Sequence, residues 1–507
     1  MNLKTCSPAQ LKRSLRPALA LLGLFAGINL ARAADPAFLT WAQTPPMGWN
    51  SWDCYGAGVW QTDVLANADY MAKNLKSHGW TVVTIDIQWY EPLAHTTAYR
   101  RGAVLEMDAN GRLLPATNRF PMTAGTRSFK PIGDYLHANG LKFGLHLLRG
   151  IPRQAVDRDN TPILGTPYHA ADIADKRNVC GWNGDMYGVD MSKPGAQEYY
   201  DSVFALMASW GLDYVKVDDL SSPYHKAEIE AIRKAIDKTG RAIVFSTSPG
   251  ATPVNQGASI ETNANLWRIS GDFWDNWRAL YSQFALINNW TPFRGPGHWP
   301  DADMIPFGNV RAWQTQDNWT HFTHDEQFTL MTLWCIGRSP LILGGNLPKN
   351  DDFTLSLLNN DEVLAVNQKS TNNRQLFNTN NLVAWVADAP ESKRQQVLLT
   401  PRQLSSGIRA AAVSGSNDKY LALFNTSPAS APGGRRGGSG ATAATNAPAS
   451  DAAQPRSVSV SLADLGFTGK VKVRDLWGQK DLGSVSGQFS AVINSHGAGL
   501  YRLTPAN

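Results

Sequence analysis

Two carboxylates, a lysine and an arginine in this sequence have the spacing to act on one bond. The run 212–220 reads Leu-Asp-Tyr-Val-Lys-Val-Asp-Asp-Leu. Tyr214, Val215 and Val217 favour a strand, and on a strand Lys216 and Asp218 point the same way. An ammonium beside a carboxylate keeps it ionised. Asp272 follows Gly271 and is flanked by Phe273, Trp274 and Trp277. Apolar surroundings raise a carboxyl pKa, so this second acid is expected to hold its proton. Arg268 lies four residues before it. One ionised and one protonated carboxyl group are what hydrolysis of a glycosidic bond needs.

The remaining polar residues at the ends of apolar runs are Asn50, Ser51, Trp52, Asp53, Asp86, Trp89, His146, Arg149, Asp219, Ser270, Asp275, Asp301 and Asp303. Plainer readings stand beside the chemical ones. Asp218 also suits a helix N-cap, and Asp272 a surface turn. Arg268 and Asp86 could form a structural ion pair. Trp52 and Trp89 suit a core as well as a sugar platform. His146 reads as a hydrogen-bonded core histidine, and Asp219 and Asp275 as supporting or solvated. No glycine-rich phosphate cradle and no nucleophile-elbow serine is present.

Something must bring these residues to one rim. Eight short apolar runs, 47–52, 81–89, 141–149, 212–220, 241–248, 266–274, 298–305 and 340–347, alternate with segments mostly long enough for a crossover helix. That alternation predicts a parallel sheet closed into a (β/α)8 barrel, which carries its chemistry at the carboxyl ends of its strands. The long loop 91–129 is expected to fold over that mouth. From about residue 367 the helical period fades. Strands are predicted over 381–386, 396–400, 420–424, 457–461, 470–475 and 499–503, giving a C-terminal antiparallel β-sandwich. The predicted division is 34–368 for the barrel and 369–507 for the sandwich. A Gly/Ala/Ser/Pro tract at 427–456 is too poor in apolar residues to order itself.

Residues 1–33 are read as a secretory signal peptide: Lys4, Lys12, Arg13 and Arg16, an apolar run, then Ala31-Arg32-Ala33. They explain the charge. The chain is +5 overall, but this segment holds five basic residues and no acid, so the remainder is neutral. A nucleic-acid partner is therefore not expected, nor a membrane after cleavage. A periplasmic or extracellular location follows. Cys54, Cys180 and Cys335 would remain, which is no disulfide scaffold, and no Cys/His spacing suits zinc. No metal or cofactor is expected. The 18 tryptophans and 14 tyrosines suit sugar faces, though burial is their common use.

Four motifs in order, Pro45-Pro-Met-Gly-Trp-Asn-Ser-Trp, Tyr214-Val-Lys-Val-Asp218, Arg268-x-x-x-Asp272 and Pro300-Asp-Ala-Asp-Met, resemble glycoside hydrolase family 27, the α-galactosidase (melibiase) family. Val473-Arg-Asp-Leu-Trp is similar to a recurring strand of that family's C-terminal sandwich. The resemblance implies a retaining exo-glycosidase releasing terminal α-D-galactosyl residues. It implies Asp218 as nucleophile and Asp272 as acid/base. Trp52, Asp86, Lys216 and Arg268 would contact the terminal sugar, with Asp303 supporting the pocket.

The sequence departs from the family at three places. Asp86-Ile87-Gln88-Trp89 stands where Asp-Asp-Cys-Trp is usual, Thr247-Ser248-Pro249-Gly250 where Cys-Glu is usual, and Leu220 where a cysteine follows the nucleophile. These departures open related specificities: β-L-arabinopyranosidase, α-N-acetylgalactosaminidase or isomalto-dextranase. The segment 149–153 is expected to add a distal subsite. Outside hydrolases, Lys216 admits a Schiff-base lyase, and a sugar-binding barrel without catalysis is the third class.

Overall fold

Each of the eight apolar runs supplies one strand: β1 Met47–Asn50, β2 Val82–Ile85, β3 Lys142–Leu148, β4 Tyr214–Asp218, β5 Val244–Thr247, β6 Leu266–Arg268, β7 Trp299–Asp301 and β8 Leu341–Leu343. The computed structural model describes residues 36–390, 418–427 and 454–506. The strands lie in the order β7-β6-β5-β4-β3-β2-β1-β8, and neighbouring strands in that order pair in parallel. A parallel bridge from Ile305 to Leu343 joins the two ends of the order. The barrel strands are buried at nearly every position, as parallel strands covered by helices must be.

The main covering helices are α1 Gln61–Asn74, α2 Lys130–Ala138, α3 Ala196–Ser209, α4 Lys226–Lys238, α5 Trp277–Asn289 and α6 His324–Gly337. Between β5 and β6 there is only a 3-10 turn, Val254–Gln256, running into the one-turn helix Gly257–Ile260. Helix α6 begins with a capping box in which Thr323 and Glu326 satisfy each other's backbone amides. Between β3 and α3 the chain builds a small sheet from Ile151–Pro152, Ala174–Val179 and Met186–Val189. Its strands are too short and too polar for periodicity to reveal. The loop 91–129 does pack at the mouth: Tyr99 stacks on Trp52 at 5.9 Å between ring centroids. Buried Arg119 ties it down by donating to the carbonyls of Gln88, Glu91, Ala57 and Val59.

Past the barrel come β9 Thr371–Thr379, β10 Leu382–Asp388, β11 Lys419–Asn425, β12 Arg456–Ser461, β13 Val471–Asp475, β14 Lys480–Val485, β15 Gln488–Ile493 and β16 Ala498–Pro505. They form a six-stranded sheet, β9-β10-β11-β16-β13-β14, and a two-stranded one, β12-β15. Val386, Leu421, Leu423, Val458, Val460, Phe489 and Leu503 share the core of this part. Strands β9, β14 and β15 were not foreseen, because β9 and β14 are largely exposed and polar and carry no clean alternation. The predicted strand 396–400, residues 1–33 and 428–453 of the low-complexity tract lie outside the described residues.

The two parts meet through side chains. Thr329 donates to the carbonyl of His496 at 2.6 Å, and the His496 ring lies 2.8 Å from Glu326. The same ring stacks on Trp277 with centroids 3.5 Å apart and planes 9° from parallel.

Candidate active site

The polar residues converge because register and alternation put them at one end. His146 is level with Lys216, and Leu148 with Asp218, across the β3–β4 pair. Lys216 Nζ lies 3.0 Å from Asp86 Oδ2 and 3.9 Å from Asp218 Oδ2. Asp86 also accepts from Asn50 Nδ2 at 2.7 Å, and its backbone amide donates to Ser51 Oγ at 3.0 Å. Burial pushes the Asp86 carboxyl upward, but Lys216, His146 and Asn50 together bring it below the ordinary carboxylate range. Burial alone would lower Lys216; Asp218 and Asp86 outweigh it and raise the ammonium, so it stays charged. A charged lysine is no Schiff-base nucleophile.

Asp218 closes β4 and is almost fully buried. His146 Nε2 sits 2.8 Å from its Oδ2. Ligand atoms of Asp86, His146 and Asp218 lie within 4.8 Å of one another, a spacing that could hold a cation. The Lys216 ammonium already brings positive charge to both carboxylates of that cluster.

A second cluster occupies the β6 and β7 ends. Arg268, 3% exposed, forms an ion pair with Asp303 Oδ2 at 2.6 Å and lies 3.3 Å from Asp272 Oδ1. Asp303 also accepts from the Phe273 amide at 2.7 Å, while its own amide donates to Asp301 at 2.9 Å. Its φ of 88° lies in the left-handed region that disfavours a side chain, a strain held in place by those bonds. Burial raises the Asp303 carboxyl and Arg268 pulls it back, leaving it at about 7. Burial would lower Arg268, but Asp303, Asp272, Asp301 and Asp218 raise it. The Tyr99 hydroxyl is raised by burial and then by Asp86, Asp218 and Asp272. One phenol thus senses three of the acids.

Several expectations need correction. Arg268 and Asp86 do not pair with each other; each has its own buried partner. The apolar enclosure expected around Asp272 is absent, since its side chain is 63% exposed. The reason is that its aromatic neighbours turn away: Phe273 packs on Trp334 and Phe322, Trp274 lies under Arg311, and Trp277 stacks on His496. Of the two readings of Asp219 and Asp275, supporting or solvated, the supporting one holds. Asp219 pairs with Arg149 at 2.6 Å, and Asp275 with Arg311. Arg149 bonds Glu228 as well, at 2.7 Å, so this buried residue supports the rim. Trp89 is core, donating to the His146 carbonyl at 2.8 Å. Trp52 is half-buried at the mouth.

Sequence reasoning placed Asp53 at the end of the first run but gave it no role. In Trp52–Tyr55 it looks like an ordinary acid in a first helical turn. Instead it is 2% exposed, and its Oδ2 has no protein partner. A methyl group at Gly344 would lie 2.1 Å from that oxygen, so only glycine admits it. Burial, then Asp303, raises its carboxyl far above the usual range.

Comparison with known proteins adds to this geometry. The family model for alpha galactosidase A matches residues 165–369, and that for the alpha galactosidase C-terminal beta sandwich domain matches 410–503. A Cyamopsis tetragonoloba α-galactosidase is 27% identical over 470 residues, covering 91% of this chain and 87% of that one. Among solved structures, a family 27 β-L-arabinopyranosidase from Geobacillus stearothermophilus, in complex with arabinose, is 46% identical with a TM-score of 0.81, covering 94% of this chain and 100% of that one. A Bacillus halodurans structure carrying an α-N-acetylgalactosaminidase assignment is 40% identical with a TM-score of 0.74, covering 91% and 97%.

Proposed function

The chain belongs to glycoside hydrolase family 27 and is a glycoside hydrolase, and on that premise we propose that it is a retaining exo-glycosidase for terminal β-L-arabinopyranosyl units. Ile87 carries the choice of sugar. It is a buried hydrocarbon where the family usually has a second aspartate. An α-D-galactoside and a β-L-arabinopyranoside share the arrangement of their ring hydroxyls. They differ in the hydroxymethyl group that only the hexose carries. A pocket with one polar group fewer favours the sugar with one hydroxyl fewer, by about 1–3 kcal/mol per unmatched hydrogen bond. The 46% identical arabinopyranosidase supports the same choice. The α-D-galactosyl reading is kept as second activity, because the curated relatives, at 24–29% identity, are α-galactosidases.

In the proposed reaction Asp218 attacks the anomeric carbon while Asp272 protonates the departing oxygen. Asp272 then takes a proton from water, which displaces Asp218 and regenerates the original anomeric form. Lys216 puts an ammonium 3.9 Å, and His146 an imidazole nitrogen 2.8 Å, from the attacking Asp218 carboxylate. The bound sugar supplies the cover that Asp272 lacks. Asp86 and Lys216 present a carboxylate and an ammonium to the sugar hydroxyls, Trp52 an apolar face. Asp303 holds Arg268 beside Asp272. No metal or cofactor takes part.

The barrel is read as residues 34–368 and the sandwich as 369–507, with export directed by residues 1–33. No described helix is long and apolar enough to cross a membrane.

The test compares nitrophenyl β-L-arabinopyranoside with nitrophenyl α-D-galactopyranoside, follows the anomer by NMR, and labels the enzyme with a 2-fluoro sugar. Retention, label on Asp218 and higher kcat/KM for the pentoside are expected. Normal turnover by D218N would end the reading.

A further inference from the structure

His146 has no part in bond making, yet it is fully buried against the carboxylate proposed to form the covalent intermediate. An ionised Asp218 can only accept, so Nε2 must carry the hydrogen and donate. The other nitrogen, Nδ1, is buried without a protein partner. The ring is fixed by its place in β3, level with Lys216, and by the Trp89 indole donating to its carbonyl. Its Nε2 also lies 3.9 Å from Asp86 Oδ1.

We propose that His146 is a positioning residue that governs the second half of the reaction, the release of the sugar from Asp218. The inference rests on the double-displacement reading above. In the glycosyl-enzyme the Asp218 carboxyl is a neutral ester, a weak acceptor. When water attacks the anomeric carbon, the new carbon–oxygen bond forms as the ester carbon–oxygen bond breaks. The electron pair of the broken bond returns to Asp218, and the water proton goes to Asp272. The Nε2–H bond strengthens as that charge appears. It therefore lowers the barrier to release. In the first half the same bond stabilises the attacking carboxylate and slightly restrains it. Loss of the donor should thus slow release and spare formation, so that the intermediate accumulates.

The experiment compares wild type, H146F and H146Q with a nitrophenyl glycoside in steady-state and stopped-flow assays, with intact mass measured during turnover. Phenylalanine keeps the volume and removes the donor; the Gln side chain places an amide near the Nε2 position. For H146F, kcat is expected to fall about 10- to 100-fold, the scale of one hydrogen bond to a charged group. KM should fall with it, and a stoichiometric nitrophenolate burst and a glycosyl-enzyme mass should appear. H146Q should recover most of kcat and lose the burst. A kcat close to wild type, or a fall in kcat with KM unchanged and no burst, overturns the proposal. If H146F does not fold, H146M serves as the donor-free variant. A crystal structure of the 2-fluoro-sugar adduct gives an independent reading: Nε2 must remain bonded to Asp218, and a ring turned away refutes the role. Label absent from Asp218 would strike instead at the double-displacement reading itself.

Discussion

Replacing Lys216 by methionine tests the electrostatic centre of the site. The side chain becomes one atom shorter and loses its charge, leaving Asp86 fully buried with Asn50 and His146 for neighbours, and Asp218 with His146. At the observed 3.0 Å and 3.9 Å separations, each Coulomb attraction is about 4–6 kcal/mol at an effective dielectric near 20. Part of that offsets the desolvation of the ammonium itself. The loss on breaking such a buried cluster is therefore about 3–5 kcal/mol. It must depend on pH. In the native protein the Asp86 carboxyl is held low. The stability this gives is present above about pH 4, the unfolded carboxylate value, and is lost as pH falls through the folded value. In K216M burial acts without the lysine, so Asp86 takes up a proton at higher pH than in the unfolded chain. The penalty should be full near pH 8 and at least about 1 kcal/mol smaller near pH 5. Urea unfolding of both proteins at the two pH values measures it, and kcat/KM should fall at least about 100-fold. A difference below about 1 kcal/mol, or one equal at both pH values, refutes the reasoning.

Three further outcomes are expected. Substituting I87D should raise the ratio of α-galactoside to β-arabinopyranoside kcat/KM about tenfold or more, as one recovered hydrogen bond allows; paired kinetics on the two nitrophenyl glycosides check it, and an unchanged ratio removes Ile87 from sugar choice. Asp303 stands at about 7, above its unfolded value of about 4. Its contribution is present below that lower value and is lost as pH rises through the higher one, so D303N should flatten that segment of the stability–pH curve in urea titrations while weakening substrate turnover. R149M strips Asp219 and Glu228 of a buried partner and should cost about 3–5 kcal/mol in urea unfolding, with little change in KM.

The barrel was legible because parallel strands buried on both faces leave apolar runs, and each run ended in a polar residue. The positions of Asp218, Lys216, Asp86 and Arg268 followed from that. Who pairs with whom did not. Lys216 and Asp86 are 130 residues apart, and local spacing favoured Asp218 as the nearer partner of the lysine. Asp303 depends on a left-handed backbone that no side chain announces. Asp272 was read from its neighbours' chemistry, but their rings point elsewhere. Asp53 is hidden in a turn that looks ordinary until Gly344 is brought against it.

The ring of His496 lies flat on Trp277, five residues after Asp272 at the start of the next helix. The C-terminal part of the chain thus holds one end of the loop that presents Asp272, the proposed acid. Shortened forms ending near residue 369 would keep every strand of the cylinder and still lose this brace. Their failure to protonate a poor leaving group, while processing a self-departing one such as fluoride, would be a matter of leverage rather than of missing chemistry.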